Sequence, residues 1–323
     1  MSHETVFRGA EVGYPEVVSQ VPDMNPEELY RPTMVSITIK DGTRSETFHV
    51  PRELICSRSD YFRATFMGRF SESWSLATTL DETSTWTFKT FVNWLYTSRL
   101  ALPQAPTDLL GEAGDAKDPT TWPMQTLFDL YAFADRFDTR LLRRLVIEQV
   151  IFSIASGAGY PSMQEIAWLY ETLPRSSPLI RFICYNTATV LNSEELVDFR
   201  KQILAELGDV EVASEFNSDL LAMDEASKDR CLECKRLRQL SDDERLRRKC
   251  DVHRLPPYTV EWRHPEHKWC FWHEHEKDEN EWEEKLVCAY RAQNYEERIR
   301  LSELSKGNLC SQRKGMWSLA MFA

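Results

Sequence analysis

The chain has 323 residues, 42% of them hydrophobic, with 39 Lys and Arg against 51 Asp and Glu, for a net charge of −12. This is apolar material for roughly two or three cores at about 100 to 200 residues each, which excludes a single small module, while the acidic balance disfavours sequence-independent binding to nucleic acid. No apolar run approaches the ~18 residues of a membrane span, and Met1-Ser2-His3-Glu4 lacks the basic flank of a secretory signal, so the expected location is cytoplasmic or nuclear.

Residues 1–32 are polar and proline-rich, without a sustained apolar period, and read as a flexible leader. From Met34 the pattern changes. Val35, Ile37 and Ile39 alternate with Ser36, Thr38 and Lys40, and Asp41-Gly42 supplies turn chemistry before a second strand through Thr47–Val50, which predicts a β-hairpin. Pro51 suits the first position of a helix. Two short helices come next, the second capped by Ser59, and a third strand is expected near Leu76–Leu80. Ser84 or Thr85 caps the next helix, where Trp86, Phe88, Phe91, Val92, Trp94, Leu95 and Tyr96 form a wide apolar face that must be buried.

Residues 101–123 hold four prolines and two glycines and read as a surface insertion rather than part of a core. A helical hairpin is then predicted, with Leu127, Phe128, Leu130, Tyr131, Phe133 and Ala134 on its first arm. Asp138-Thr139 caps the second arm, which runs through Leu142, Leu145, Val146 and Val150. Three further helices are expected over Met163–Thr172, Pro178–Leu191 and Ser193–Leu207, joined by short connections as in a packed extension.

The run Phe48-His49-Val50-Pro51-Arg52-Glu53-Leu54-Ile55-Cys56 through Ser59 and Phe62 resembles the BTB/POZ domain, whose usual form is F-x-V-H-[KR]-x-L-L with a serine and a phenylalanine further on. Phe88 to Thr97, ending Trp94-Leu95-Tyr96-Thr97, is similar to that family's "WLYTG" helix, and Leu130 to Asp138 is similar to its "LY.FADKYD" hairpin. The likeness covers residues 34 to about 155 and is nearest to the fungal type. It implies an α+β fold, a three-stranded sheet packed with helices, in a non-enzymatic domain that self-associates or docks protein partners, sometimes as an adaptor for cullin-type ubiquitin ligases. Two positions depart from the family. Pro51 stands where His is usual, and Met34 stands where many dimeric members carry an Asp that pairs with the basic residue kept here as Arg52. Arg52 is thereby expected to lack its charge-assisted partner, which weakens the case for the domain-swapped dimer. Phe70-Ser71-Glu72 matches the family's apolar-x-Glu cullin-docking element in place, with Phe70 as an aromatic anchor beside the Glu72 carboxylate.

Six of the eight cysteines and five of the seven histidines lie after residue 230. Cys231-x2-Cys234, Cys250-x2-His253 and Cys270-x2-His273-x-His275 are ligand pairs at the spacing that lets a tight turn aim two side chains at one ion. Thiolate with imidazole favours zinc, and a four-ligand site with no open position is structural. Six candidates stand for four places. Cys231 and Cys234 are the first choice, either Cys250 with His253 or Cys270 with His273 completes the set, and His264, His267 and His275 are available for a second ion. The plain alternative is free thiols and surface histidines, which is how Cys288 and Cys310 are read.

The competing functional class is a zinc-dependent DNA-binding regulator with a BTB dimeriser. Cys231 to Cys250 holds seven basic against four acidic residues, and Glu274 to Glu284 then carries seven acids with one lysine, so no basic stripe is sustained. The nucleophile elbow, both glycine-rich phosphate loops and the H-E-x-x-H zinc motif are missing from the sequence, which argues against an enzyme. The organisation expected is thus a leader over 1–32, a BTB/POZ-like domain over 33–155 with its insertion at 101–123, and a helical extension over 156–225. A small Cys/His zinc module over 226–285 and a C-terminal helix and tail over 286–323 complete it.

Overall fold

The computed structural model describes residues 31–102, 114–155, 160–190 and 210–230, together with Leu110 and Phe199. Strand β1 (Met34–Asp41) buries Val35, Ile37 and Ile39 completely on one face, the outcome their alternation predicts. It pairs antiparallel with β2 (Arg44–Pro51) in the register Val35 to Val50 and Ile37 to Phe48. The two-residue turn between them places Gly42 at φ +59°, a left-handed conformation that glycine adopts without steric cost. Strand β3 (Ala77–Asp81) lies parallel to β1 on its other side, giving the order β2-β1-β3. The outward face is polar, with the Ser36 hydroxyl 3.1 Å from His49 Nδ1 and the Thr38 and Thr47 hydroxyls 3.0 Å apart.

Between β2 and β3 the chain forms α1 (Arg52–Arg58), α2 (Asp60–Met67) and α3 (Ser71–Ser75). Pro51 ends β2 with non-helical backbone and stands just before the first turn of α1 rather than inside it. Ser59 is the expected cap. Its buried hydroxyl accepts from the Phe62 N–H at 3.1 Å and donates to the Phe137 carbonyl at 2.5 Å, so one side chain serves a helix start and a contact 78 positions away.

Helix α4 (Thr85–Thr97) is capped by Ser84, whose hydroxyl accepts from the Trp86 N–H at 3.2 Å. Phe88, Phe91, Trp94 and Leu95 are buried as expected, but Tyr96 is exposed, because at about 100° per residue it falls outside the stripe the other four define. Helices α5 (Met124–Arg136) and α6 (Arg140–Ala155) form the predicted hairpin. The cap at its turn works differently from the expectation. The Thr139 carbonyl accepts from the Arg143 N–H, while its hydroxyl donates backward to the Ala134 carbonyl at 3.1 Å, and Asp138 instead accepts two bonds from the Arg143 guanidinium at 3.2 Å.

The reading of 101–123 as a surface insertion needs amendment at particular residues. Leu102, Leu110 and Trp122 are buried in the main core, and the Trp122 indole N–H donates to the Asp115 carbonyl at 2.9 Å. Composition rich in proline and glycine describes the backbone of this stretch but not its three anchors.

In the extension, α7 (Met163–Thr172) opens with a reciprocal capping box between Ser162 and Glu165, and α8 (Pro178–Val190) and α9 (Val210–Arg230) come after it. The helix predicted over Ser193–Leu207 falls outside the described residues apart from Phe199, which is helical and buried. Helix α9 was not expected as an element, and its backbone runs through Arg230, past the expected boundary at 225. It is tied down by charge. Arg175 donates to Asp219 at 2.5 and 3.2 Å and to Glu215 at 3.3 Å, while the Tyr170 hydroxyl, 3.1 Å from the Cys184 sulfur, donates to Asp219 at 3.0 Å. Sheet, hairpin and extension share one continuous core, from Val35 through Phe91, Phe133 and Tyr131 to Phe216 and Leu220.

Candidate protein-interaction surface

Most of the large apolar side chains of residues 34–155 are inside, so those left outside stand out. Three cluster in sequence at the corner between α2 and α3: Met67 is 49% exposed, Phe70 60% and Trp74 87%. The corner is built by Gly68, which closes α2 with its N–H on the Ala64 carbonyl. A Cβ at this position would stand 2.1 Å from that same carbonyl oxygen, so no other residue fits without shifting the backbone. Phe70 then takes extended backbone at the start of α3, where its carbonyl accepts from both the N–H and the hydroxyl of Ser73 at 3.1 and 2.7 Å. Leu76, packed against the core in the left-handed conformation, anchors the far end.

The ends of α3 are therefore fixed while its aromatic side chains are not packed. Phe70 stands just before α3 and Trp74 inside it, four positions apart, and both side chains are exposed. Glu72 sits between them, half-buried, its carboxylate accepting from the Ser71 hydroxyl at 3.0 Å. Phe70 is displayed outward and not packed into the core. Trp74 escaped the sequence reading. The available signal was a tryptophan set in the polar stretch Ser71-Glu72-Ser73-Trp74-Ser75, four positions after Phe70.

Arg52 is placed apart from this corner, at the start of α1. It does not stand without a partner: its Nε and one terminal nitrogen both donate to Oε1 of the adjacent Glu53, at 3.0 and 2.7 Å. Its carboxylate partner is thus the next residue in sequence, not one on β1. Met34 itself is partly exposed at the head of β1.

The two described cysteines are poor nucleophiles. Burial pushes the Cys56 thiol up to about 11 and the Cys184 thiol up to about 12, so both are protonated at neutral pH. Among the described residues no group of three His, Cys, Asp or Glu side chains is placed to hold a metal ion, and no helix is long and apolar enough to cross a membrane. Cys231, Cys234, Cys250, His253, Cys270 and His273 all lie outside the described residues.

Residues 27–116 match the family model of the BTB/POZ domain. No curated protein matches the chain. The family match begins a few residues before the expected domain boundary and ends before the α5–α6 hairpin, although the hairpin packs into the same core: the Phe133 ring lies 5.0 Å from Phe91 and 6.1 Å from Phe88.

Proposed function

Because the chain carries a BTB/POZ domain, a module that mediates protein–protein interaction and self-association, we propose that it is a non-catalytic adaptor whose α2–α3 corner docks a cullin-type ubiquitin ligase subunit. The observation that supports this reading is the display of Phe70 and Trp74 on either side of Glu72, on backbone already fixed by Gly68 and Ser73. Aromatic side chains exposed on a rigid frame bind at low ordering cost, and a carboxylate beside them sets orientation. Nothing in this arrangement needs catalysis. The reading is tested by titrating the purified full-length chain with a purified cullin in a calorimeter. A saturable one-to-one complex is the expected result, and its absence would leave the adaptor role to other partners and remove the ligase from it.

The Cys/His tail belongs to the same proposal as a structural zinc module, with Cys231 and Cys234 supplying one ligand pair and either Cys250 with His253 or Cys270 with His273 the other. Elemental mass spectrometry of the purified chain should find about one zinc per chain, lost in a Cys231→Ser, Cys234→Ser variant, since a four-ligand thiolate–imidazole site cannot lose a pair and keep its affinity. Equal zinc in both proteins would remove these two cysteines from the site, and no zinc in either would leave the cluster as thiols.

A further inference from the structure

Helix α9 is attached to the extension along one stripe. Val212, Ala213, Phe216 and Leu220 are buried at helical spacing, and the Phe216 ring meets Tyr170 of α7 edge-on at 5.6 Å. The stripe stops at Leu221, which is exposed. Val210, Val212, Ser214, Asn217 and Ser218, in the first half of the helix, are indifferent helix formers, so α9 keeps its shape by docking and not by propensity.

Beside the stripe stands a polar clamp with parts on each neighbouring element. Arg175, in the turn between α7 and α8, donates to both oxygens of Asp219 and to Glu215. The buried Tyr170 hydroxyl donates to Asp219 Oδ2 at 3.0 Å and lies 3.1 Å from the sulfur of Cys184 on α8. Burial raises the Tyr170 hydroxyl far above the usual phenol range, so it stays a donor. Asp219 therefore joins an outer guanidinium to an inner phenol. The outer half is open to water, with the Arg175 side chain 45% exposed and that of Asp219 23% exposed, and an ion pair so placed is screened by salt and contributes modestly. This described attachment is small against the backbone freedom that 21 residues give up on ordering.

We propose that α9 is a strap that opens and closes while the sheet and the α5–α6 hairpin stay folded, with Asp219 as its latch. Opening withdraws Phe216 and Leu220 from their seat on α7 and α8, frees Arg175, and brings Tyr170 and Cys184 to water. Whatever binds one state of the strap sets how often the other occurs. The inference concerns the extension and is independent of cullin docking and of zinc.

Two thiols report the two kinds of opening. Cys184, next to Tyr170, and Cys56, in the core beneath the sheet, are each 1% exposed, so each reacts only when its cover moves away. The full-length chain is treated with iodoacetamide in native buffer, and the peptides carrying the two cysteines are quantified by mass spectrometry. Cys184 should be alkylated about tenfold faster than Cys56 or more. Asp219→Asn should raise the Cys184 rate by about a further tenfold and leave Cys56 unchanged, with faster hydrogen exchange over Val212–Leu220 but not over α5. Salt at about 1 M should speed Cys184 in the unmodified chain and change it by less than about twofold in the variant. Should Asp219→Asn fail to fold, Arg175→Gln removes the outer half of the clamp and carries the same expectation. Equal rates at the two cysteines of the unmodified chain, or a Cys184 rate that neither salt nor either substitution changes, would each overturn the proposal.

Discussion

Phe62→Ala is expected to lower the free energy of unfolding by about 3 to 5 kcal/mol, the largest single stability effect in the domain. Phe62 is fully buried, and four rings surround it. It stacks on Phe66 at 6.1 Å, Phe91 at 6.0 Å and Phe137 at 5.4 Å, with Tyr61 edge-on at 5.2 Å. Truncation removes the transfer free energy of a whole ring and leaves a cavity that stiff aromatic neighbours fill poorly. Because the bonds involving this residue are made by its backbone, to the Ser59 hydroxyl and the Cys56 thiol, the loss reports packing alone. Urea unfolding should show a lower midpoint with an unchanged slope. A cost below about 1 kcal/mol would mean that the ring system is not the centre of the core.

The opposite profile is expected for Phe70→Ala combined with Trp74→Ala. Both side chains are mostly in water, so the double variant should unfold within about 0.5 kcal/mol of the unmodified chain. Binding is another matter. Buried aromatic anchors commonly carry about 2 kcal/mol or more each, so affinity for the cullin should fall by about a hundredfold or more. Calorimetric titration beside a thermal melt separates the two effects. Loss of less than about threefold would show that the corner is not where the cullin docks.

The features that could be read from the sequence divide by physical range. The Val35-Ile37-Ile39 alternation, the Asp41-Gly42 turn and the caps at Ser59 and Ser84 were legible because each depends on residues within a few positions of one another. The fate of Trp74 and Trp122 was not, since burial is decided by distant partners that a local pattern does not contain, whereas the exposure of Tyr96 follows from strict helical spacing that the wide apolar face overlooked. Helix α9 was missed although Val212, Phe216 and Leu220 recur every four residues, because the acids between them dilute the apolar signal. Those same acids do part of the docking, as Arg175 reaches Glu215 and Asp219. For the interaction surface, Phe70 and Glu72 came from a three-residue likeness, and Trp74 doubles the aromatic area that likeness suggested. The partner of Arg52 was its next neighbour, invisible because helical residues one apart do not ordinarily face each other.

The hydroxyl of Ser59 has a consequence for how this protein can be inherited and dissected. It ties the α1–α2 turn to the Phe137 carbonyl at the end of α5, in a segment that begins after the recognisable family signature has ended at residue 116. Phe133 and Phe137 complete a ring stack whose other half comes from Phe62, Phe88 and Phe91. A fragment released at residue 116 would keep the signature yet present those rings to water, and would aggregate rather than stand alone. The cooperative unit is longer than its emblem: the hairpin must stay with the sheet, and the helices after it bury their own apolar faces in the same core.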